Sequence, residues 1–181
     1  MTNPDDRSSI CIGCGLCCDG TLHGHTDLRE EDKIAAAAVG LTVVEREGKP
    51  IFWQPCARFS CGTCSVYQAR PPVCRQYRCA LLKKVEEGRV TPEEARNRIA
   101  MAMKLRLAVI GLAPEANTPQ ARSELARTLK GELPSLEGEK RLRAAKLLLD
   151  LVALDEFLGK WFRKKKILDP ATDGEASQMR P

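Results

Sequence analysis

The residues of this chain whose types and spacing can do chemistry are its cysteines. All nine lie between Cys11 and Cys79, and none follows. The first group reads Cys11-Ile-Gly-Cys14-Gly-Leu-Cys17-Cys18, a C-x2-C-x2-C-C run. Two-residue spacing lets successive thiolates turn back onto one metal ion or one cluster. Gly13 and Gly15 can take positive φ and direct backbone N–H groups toward sulfur, which stabilises thiolate charge. The first three cysteines are spaced as in a bacterial ferredoxin run, but the C-P pair that should follow is missing. A fourth ligand must then be Cys18 or a remote cysteine. The second group, Cys56, Cys61, Cys64, Cys74 and Cys79, is interleaved with Arg58, Arg70, Arg75 and Arg78. These arginines either screen thiolate charge and donate hydrogen bonds to sulfur or face solvent.

Disulfides are the competing use of cysteine. The start of the chain is polar and acidic with no apolar leader segment, so a cytoplasmic, thiol-reducing location is expected. An odd count leaves one thiol over in a closed disulfide framework, and adjacent cysteines such as Cys17 and Cys18 rarely bridge each other. Metal ligation is the better reading. Cys61-Gly-Thr-Cys64 with Cys11 and Cys14 would make a zinc-ribbon site, but that leaves five cysteines unexplained. Other chemistry has few candidates. His23 and His25 form an H-x-H pair that can complete a metal site, but a loop surface is the expected place for them. With only two histidines, acid–base catalysis is poorly provided for.

The pattern resembles the YkgJ-type cysteine-cluster family, a zinc- or iron-chelating domain. The resemblance rests on the C-x2-C-x2-C-C run, on Gln54-Pro55-Cys56 after a short strand, and on Cys64-Ser-Val-Tyr67-Gln-Ala-Arg70-Pro71-Pro72-Val-Cys74-Arg75. It covers residues 8–80. It implies eight metal ligands, Cys11, Cys14, Cys17, Cys18, Cys56, Cys64, Cys74 and Cys79, with Cys61 an addition to the family pattern. It also implies structural roles for Arg70 and Arg75, inside the matched motif. A related branch includes flagellin lysine N-methylases. No glycine-rich strand-to-helix loop for S-adenosylmethionine or a dinucleotide is present here, so methylation is not carried over.

Elements must hold these cysteines in place. Residues 1–85 are expected to form a loop-rich, metal-stabilised cysteine domain, 86–168 a helical segment, and 169–181 a tail with little to bury. Asp27 to Val39 reads as a helix, with Asp27 as cap and Glu30 in the capping-box position. Leu41–Val44 and Pro50–Trp53 read as a hairpin around Glu45–Gly48. Pro55, Pro71 and Pro72 are expected to break regular structure around the second cysteine group. Phe52, Trp53 and Tyr67 are expected to pack around the metal. Cys79 to Glu87 reads as a short helix. Thr91-Pro92-Glu93-Glu94 announces a helix from Pro92 to Leu112, taken as the central one, and Thr118-Pro119 announces a second. Ala121, Leu125, Leu129 and Leu133 form its stripe. The last helix, residues 139–165, carries Leu147, Leu151, Leu154, Leu158 and Trp161, a seam for packing on other helices or for a dimer face. The run Arg163-Lys164-Lys165-Lys166 at its end complements the helix dipole.

The fold class expected is thus α+β, mostly α: a cysteine domain with a small β-hairpin, followed by about three packed helices. Hydrophobic content of 43% with 29% charged residues excludes a fully disordered chain. No apolar run is long enough for a membrane span. A net charge of +5 with two Trp, two Tyr and four Phe does not make a dedicated nucleic-acid binder. A protein partner is left open. The functional expectation is a metal-binding protein holding an iron–sulfur cluster or iron, with zinc as the alternative. The competing functions are a metal-dependent enzyme and a zinc-ribbon-like interaction module.

Overall fold

The structure is a computed structural model and describes residues 10–163. The expected tail and Lys164–Lys166 lie outside those residues. The fold is mostly helical with two small antiparallel sheets, as the sequence suggests. β1 (His25–Asp27), β2 (Val44–Arg46) and β3 (Lys49–Trp53) form a three-stranded sheet in the order β1-β3-β2. β4 (Phe59–Ser60) and β5 (Thr63–Cys64) form a second hairpin. Both hairpins close through two-residue turns, Glu47-Gly48 (φ 53° and 72°) and Cys61-Gly62 (φ 48° and 77°). Positive φ at both central positions is the turn geometry whose twist matches paired strands.

Three local expectations are corrected. The first helix, α1 (Asp32–Ala38), begins at Asp32 rather than Asp27 and has no side-chain cap. Asp27 instead ends β1 opposite Ile51, and the Leu28 N–H donates to the Pro50 carbonyl at 2.8 Å. Strand pairing outcompetes the local capping signal because it satisfies backbone groups along the whole segment. The first hairpin strand is Val44–Arg46 rather than Leu41–Val44. Leu41 turns inward and is buried with Leu28, Ala36 and Phe52 in a small core. Around the second cysteine group the prolines do not abolish regular structure: β4 and β5 form, and Pro72 opens the short helix α2 (Pro72–Gln76). At the first helical position a proline lacks only an N–H that would be unpaired anyway.

The helical half follows its start signals closely. Cys79 is the N-cap of α3 (Ala80–Glu86). Thr91 and Glu94 form a complete capping box on α4 (Pro92–Ile110). The Thr118 hydroxyl accepts from the Ala121 N–H at 3.3 Å at the start of α5 (Pro119–Glu132). A 3₁₀ turn (Leu133–Ser135) leads into α6 (Gly138–Trp161). It is α6, not α4, that packs against both other long helices. Leu151, Leu154 and Leu158 of its seam are buried, with Leu147 and Trp161 partly so. Among the described residues no helix is long and apolar enough to cross a membrane.

The main core does not stop at the helices. Ile10, Leu16 and Leu22 from the first cysteine segment join Leu81, Val85 and the buried faces of α4, α5 and α6 in one cluster. Polar ties reinforce this joint. Arg122, 1% exposed, donates to the Thr21 carbonyl at 2.9 Å and to Asp155 of α6 at 3.0 Å. Arg106 of α4 pairs with Asp19 at 3.0 Å. The Ala80 N–H donates to the Phe162 carbonyl at 3.0 Å. The loop leaving Cys18 is therefore clamped to the helices.

Replacing Leu158 by alanine removes a fully buried side chain at the meeting of these elements. It is expected to cost about 2–5 kcal/mol. A urea melt followed by the helical circular-dichroism signal checks this.

Candidate metal centre

No disulfide links any cysteine; all nine are thiols. Six of them, Cys11, Cys17, Cys18, Cys56, Cys64 and Cys74, line a cavity of about 550 Å³. Its other walls include Gly15, His23, Phe52, Phe59, Tyr67, Arg70 and Tyr77. Cys14 and Cys79 are not on that wall and pack with Cys17 against the helical core. Cys56 and Cys74 pack against the small core of Leu28, Ala36, Leu41 and Phe52. The structure thus places six of the eight expected cysteines around one cavity and leaves Cys14 and Cys79 off its wall. It leaves Cys61 exposed at the apex of the β4–β5 turn. Among the described residues no three Cys, His, Asp or Glu side chains already stand close enough to hold one ion.

Local folding explains how each sulfur arrives. Gly15, at φ +65°, turns the chain between Cys14 and Cys17, and the Cys18 N–H donates to the Gly15 carbonyl at 2.8 Å. The Phe59 ring sits on the α-carbon face of Gly15, in the space a side chain would need. That contact joins the first cysteine loop to the β4–β5 hairpin. The Cys56 N–H donates to the Cys18 carbonyl at 2.8 Å, fixing the start of the second group to the end of the first. Cys64 enters through β5, opposite Phe59. Cys74 is held by α2 and Cys79 by the cap of α3.

Electrostatics at these sulfurs are dominated by burial. Desolvation pushes the Cys14 and Cys74 thiols up to about 12, with neighbouring cysteine sulfurs adding to the effect. Cys56 and Cys79 are also raised by burial, partly offset by backbone donors. Those donors are the Arg58 N–H at 3.5 Å from Cys56 Sγ and the Leu82 N–H at 3.4 Å from Cys79 Sγ. Cys17 and Cys18 face each other with sulfurs 3.9 Å apart. The hydrogen bond from Cys17 lowers Cys18 and raises Cys17, so Cys18 is the sulfur that ionises first. Arg70 favours the charged form of both Cys18 and Cys74. Its Nε is buried without a hydrogen-bond partner. A cluster of mostly half-buried soft donors, with Arg70, Arg75 and Arg78 on the cavity wall and the Arg70 Nε–H without a partner, fits a chelated zinc or iron species.

The remaining candidates are placed as follows. Arg58 donates to the Val39 carbonyl at 2.5 Å and to the Gly40 carbonyl at 3.3 Å, tying the second group to the end of α1. Arg70 lies over the Tyr67 ring at 3.7 Å and donates to the Tyr67 carbonyl at 3.2 Å. Arg78 bonds the Arg75 carbonyl at 2.6 Å and Glu86 at 3.1 Å. His25 is not on a loop: it stands in β1 beside Trp53 and near Asp27. Trp53 is 53% exposed, edge-to-face with His25 and under the Arg46 guanidinium, and absent from the cavity wall. Phe52 and Tyr67 do line the cavity.

Sequence reasoning missed Tyr77. It hydrogen-bonds His23 Nε2 at 2.8 Å, and burial raises its hydroxyl. Burial also lowers His23. The only signal for Tyr77 was its position between Cys74 and Cys79. Phe59 was likewise overlooked, since nothing local predicts its contact with Gly15.

With this geometry in place, comparison with known proteins is informative over part of the chain. Residues 10–98 match the family model CxxCxxCC, described as a putative zinc- or iron-chelating domain. That is the cysteine-cluster family the sequence resembles. No curated protein and no solved structure matches the chain, so the relation to lysine N-methylases gains no support.

Gly15→Ala places a side chain at positive φ and against the Phe59 ring. It is expected to destabilise the chain by about 1–2 kcal/mol from backbone strain alone. Displacement of Phe59 adds to that cost and loosens the two cysteine groups. Urea unfolding, with the rate of thiol labelling in the native chain, measures both effects.

Proposed function

We propose that this chain, carrying a zinc- or iron-chelating domain over residues 10–98, binds its metal through Cys11, Cys14, Cys17, Cys18, Cys56, Cys64, Cys74 and Cys79. We propose further that the metal is iron, held as an iron–sulfur cluster in a reducing compartment. The observation that carries this reading is the cavity of about 550 Å³ lined by six of those cysteines. A zinc ion draws its four sulfurs to about 2.3 Å and leaves little space inside. A cluster interposes its own iron and sulfide between cysteines that stand further apart. Backbone N–H groups at Cys56 and Cys79 supply the hydrogen bonds to sulfur that set a cluster's potential.

The chain's own residues then have plain tasks. Arg70 offsets thiolate charge beside Cys18 and Cys74. Gly15 and Phe59 keep the two cysteine groups in register. Leu16 and Leu22 anchor the first group in the helical core. A bound cluster supplies one-electron chemistry or a structural staple.

The zinc-ribbon reading is weakened by Cys61, which is exposed on a turn. A metal-dependent enzyme is the second reading, because the same cavity also offers His23 and Tyr77, joined at 2.8 Å. A rise in melting temperature on adding a small-molecule cofactor to the metal-loaded chain would favour it.

Anaerobic purification tests the main reading. Iron with matching acid-labile sulfide and a visible thiolate-to-iron absorption are expected, and Cys61→Ser should leave them unchanged. A colourless chain with stoichiometric zinc and no sulfide overturns the cluster and leaves chelation standing.

A further inference from the structure

The geometry points to two separate four-cysteine metal centres that divide at the Cys17–Cys18 peptide bond: Cys11, Cys14, Cys17 and Cys79 hold one, and Cys18, Cys56, Cys64 and Cys74 hold the other. This inference rests on the reading that these cysteines chelate metal, and it adds how they are shared.

Cys11 and Cys17 reach the cavity that Cys18, Cys56, Cys64 and Cys74 line, but core packing separates five of the eight. Cys14, Cys17 and Cys79 lie against the helical core, beside Leu16, Leu81 and Val85. Cys56 and Cys74 lie against the other core, beside Phe52, Leu41 and Val73. No cysteine belongs to both cores. The backbone then assigns Cys18. Its carbonyl accepts from Cys56, so it stands at the entry of the second set although it follows Cys17 in sequence.

The backbone also places the remaining two. The Cys14 N–H donates to the Cys11 carbonyl at 3.2 Å, so Cys11 stands with the first set. Cys64 pairs with Phe59 across the β4–β5 hairpin, and the Phe59 N–H donates to the Cys56 carbonyl at 2.9 Å, so Cys64 stands with the second. Four thiolates per set is the number that a tetrahedral ion or one cubane cluster takes.

The cationic surroundings differ as well. Arg58 and Arg70 face the second set. Asp19, next to Cys18, reaches both sets and is paired with Arg106, whereas Glu86 near Cys79 is paired with Arg78. Loss of one centre should therefore be distinguishable from loss of the other.

One alternative has a physical basis. Sulfurs 3.9 Å apart, as in Cys17 and Cys18, are also close enough to share a single tetrahedral ion. The test must separate these two residues.

The full-length chain, reduced and metal-free under anaerobic conditions, is titrated with Co²⁺. Thiolate-to-cobalt charge transfer and tetrahedral ligand-field bands report each centre. Two equivalents are expected for the unmodified chain. Cys79→Ser should retain one equivalent, and Cys74→Ser should retain one with a different spectrum. Cys17→Ser should match Cys79→Ser, and Cys18→Ser should match Cys74→Ser. Cys61→Ser should retain both. Circular dichroism confirms the helices of each variant. Where Cys79→Ser or Cys74→Ser loses them, Cys11→Ser at an exposed position or Cys64→Ser at a half-buried one takes its place in the same set.

Saturation at one equivalent in the unmodified chain overturns the division but leaves chelation intact. So do Cys17→Ser and Cys18→Ser variants that lose the same bands. Failure of the chain to bind cobalt, zinc or iron overturns the chelation reading, and this inference with it.

Discussion

A thiolate buried away from water needs a cation beside it. Several cysteines of this chain are withdrawn from solvent into the margins of two apolar cores, and burial drives their thiols toward the protonated state. Arginines supply part of that charge: Arg70 favours the charged forms of Cys18 and Cys74, Arg58 that of Cys56, and Arg75 and Arg78 stand on the cavity wall. The surrounding protein is arranged about these sulfurs. It offers soft donors, backbone N–H groups aimed at sulfur, and a cavity between the donors. A chelated metal supplies the missing positive charge and turns a cost of burial into a source of folding free energy.

The two halves of the chain share this task unequally. The hairpins and α1 build the small core behind Cys56 and Cys74, and they depend on short strands and two-residue turns. The helices α3 to α6 build the larger core behind Cys14, Cys17 and Cys79. Leu16 lies in that larger core, one residue before Cys17. Since a buried leucine side chain contributes about 1.5–3 kcal/mol, the first loop is anchored by ordinary hydrophobic packing. Arg122 adds a directional tie through Thr21 to Asp155, and Arg163 shares that carboxylate at 2.8 Å.

What the sequence revealed follows the range of the interactions involved. The Thr91–Glu94 capping box and the Leu151–Leu154–Leu158 seam are local patterns, and both appear as read. The cysteine spacing also pointed to the family whose model matches residues 10–98, because that spacing is local within each group. Pairings between distant segments were hidden. Asp27 through Glu30 carries a fair helix-start signal, but β1 forms because Ile51, Phe52 and Trp53 are available to pair with it. Trp53 was expected beside the metal; strand alternation turns it outward while Phe52 points in. Which core Cys79 packs against was also hidden, and α3 decides that by packing Leu81 and Val85 beside Leu16. Tyr77 and Phe59 owe their places to partners far away in sequence, His23 and Gly15.

The clamp of Arg122 and Arg106 on the loop after Cys18 has a consequence for how a metal is captured. Gathering ligands from a flexible chain loses conformational entropy for each residue that must be ordered, on the order of 1–2 kcal/mol for the backbone. Here the exit of the first loop is already ordered by the helices, through Thr21 and Asp19. Much of that entropy is lost when the helical core folds, before any ion arrives. The helical half thereby acts as a preorganising frame: affinity for a metal is raised by side chains that never touch it.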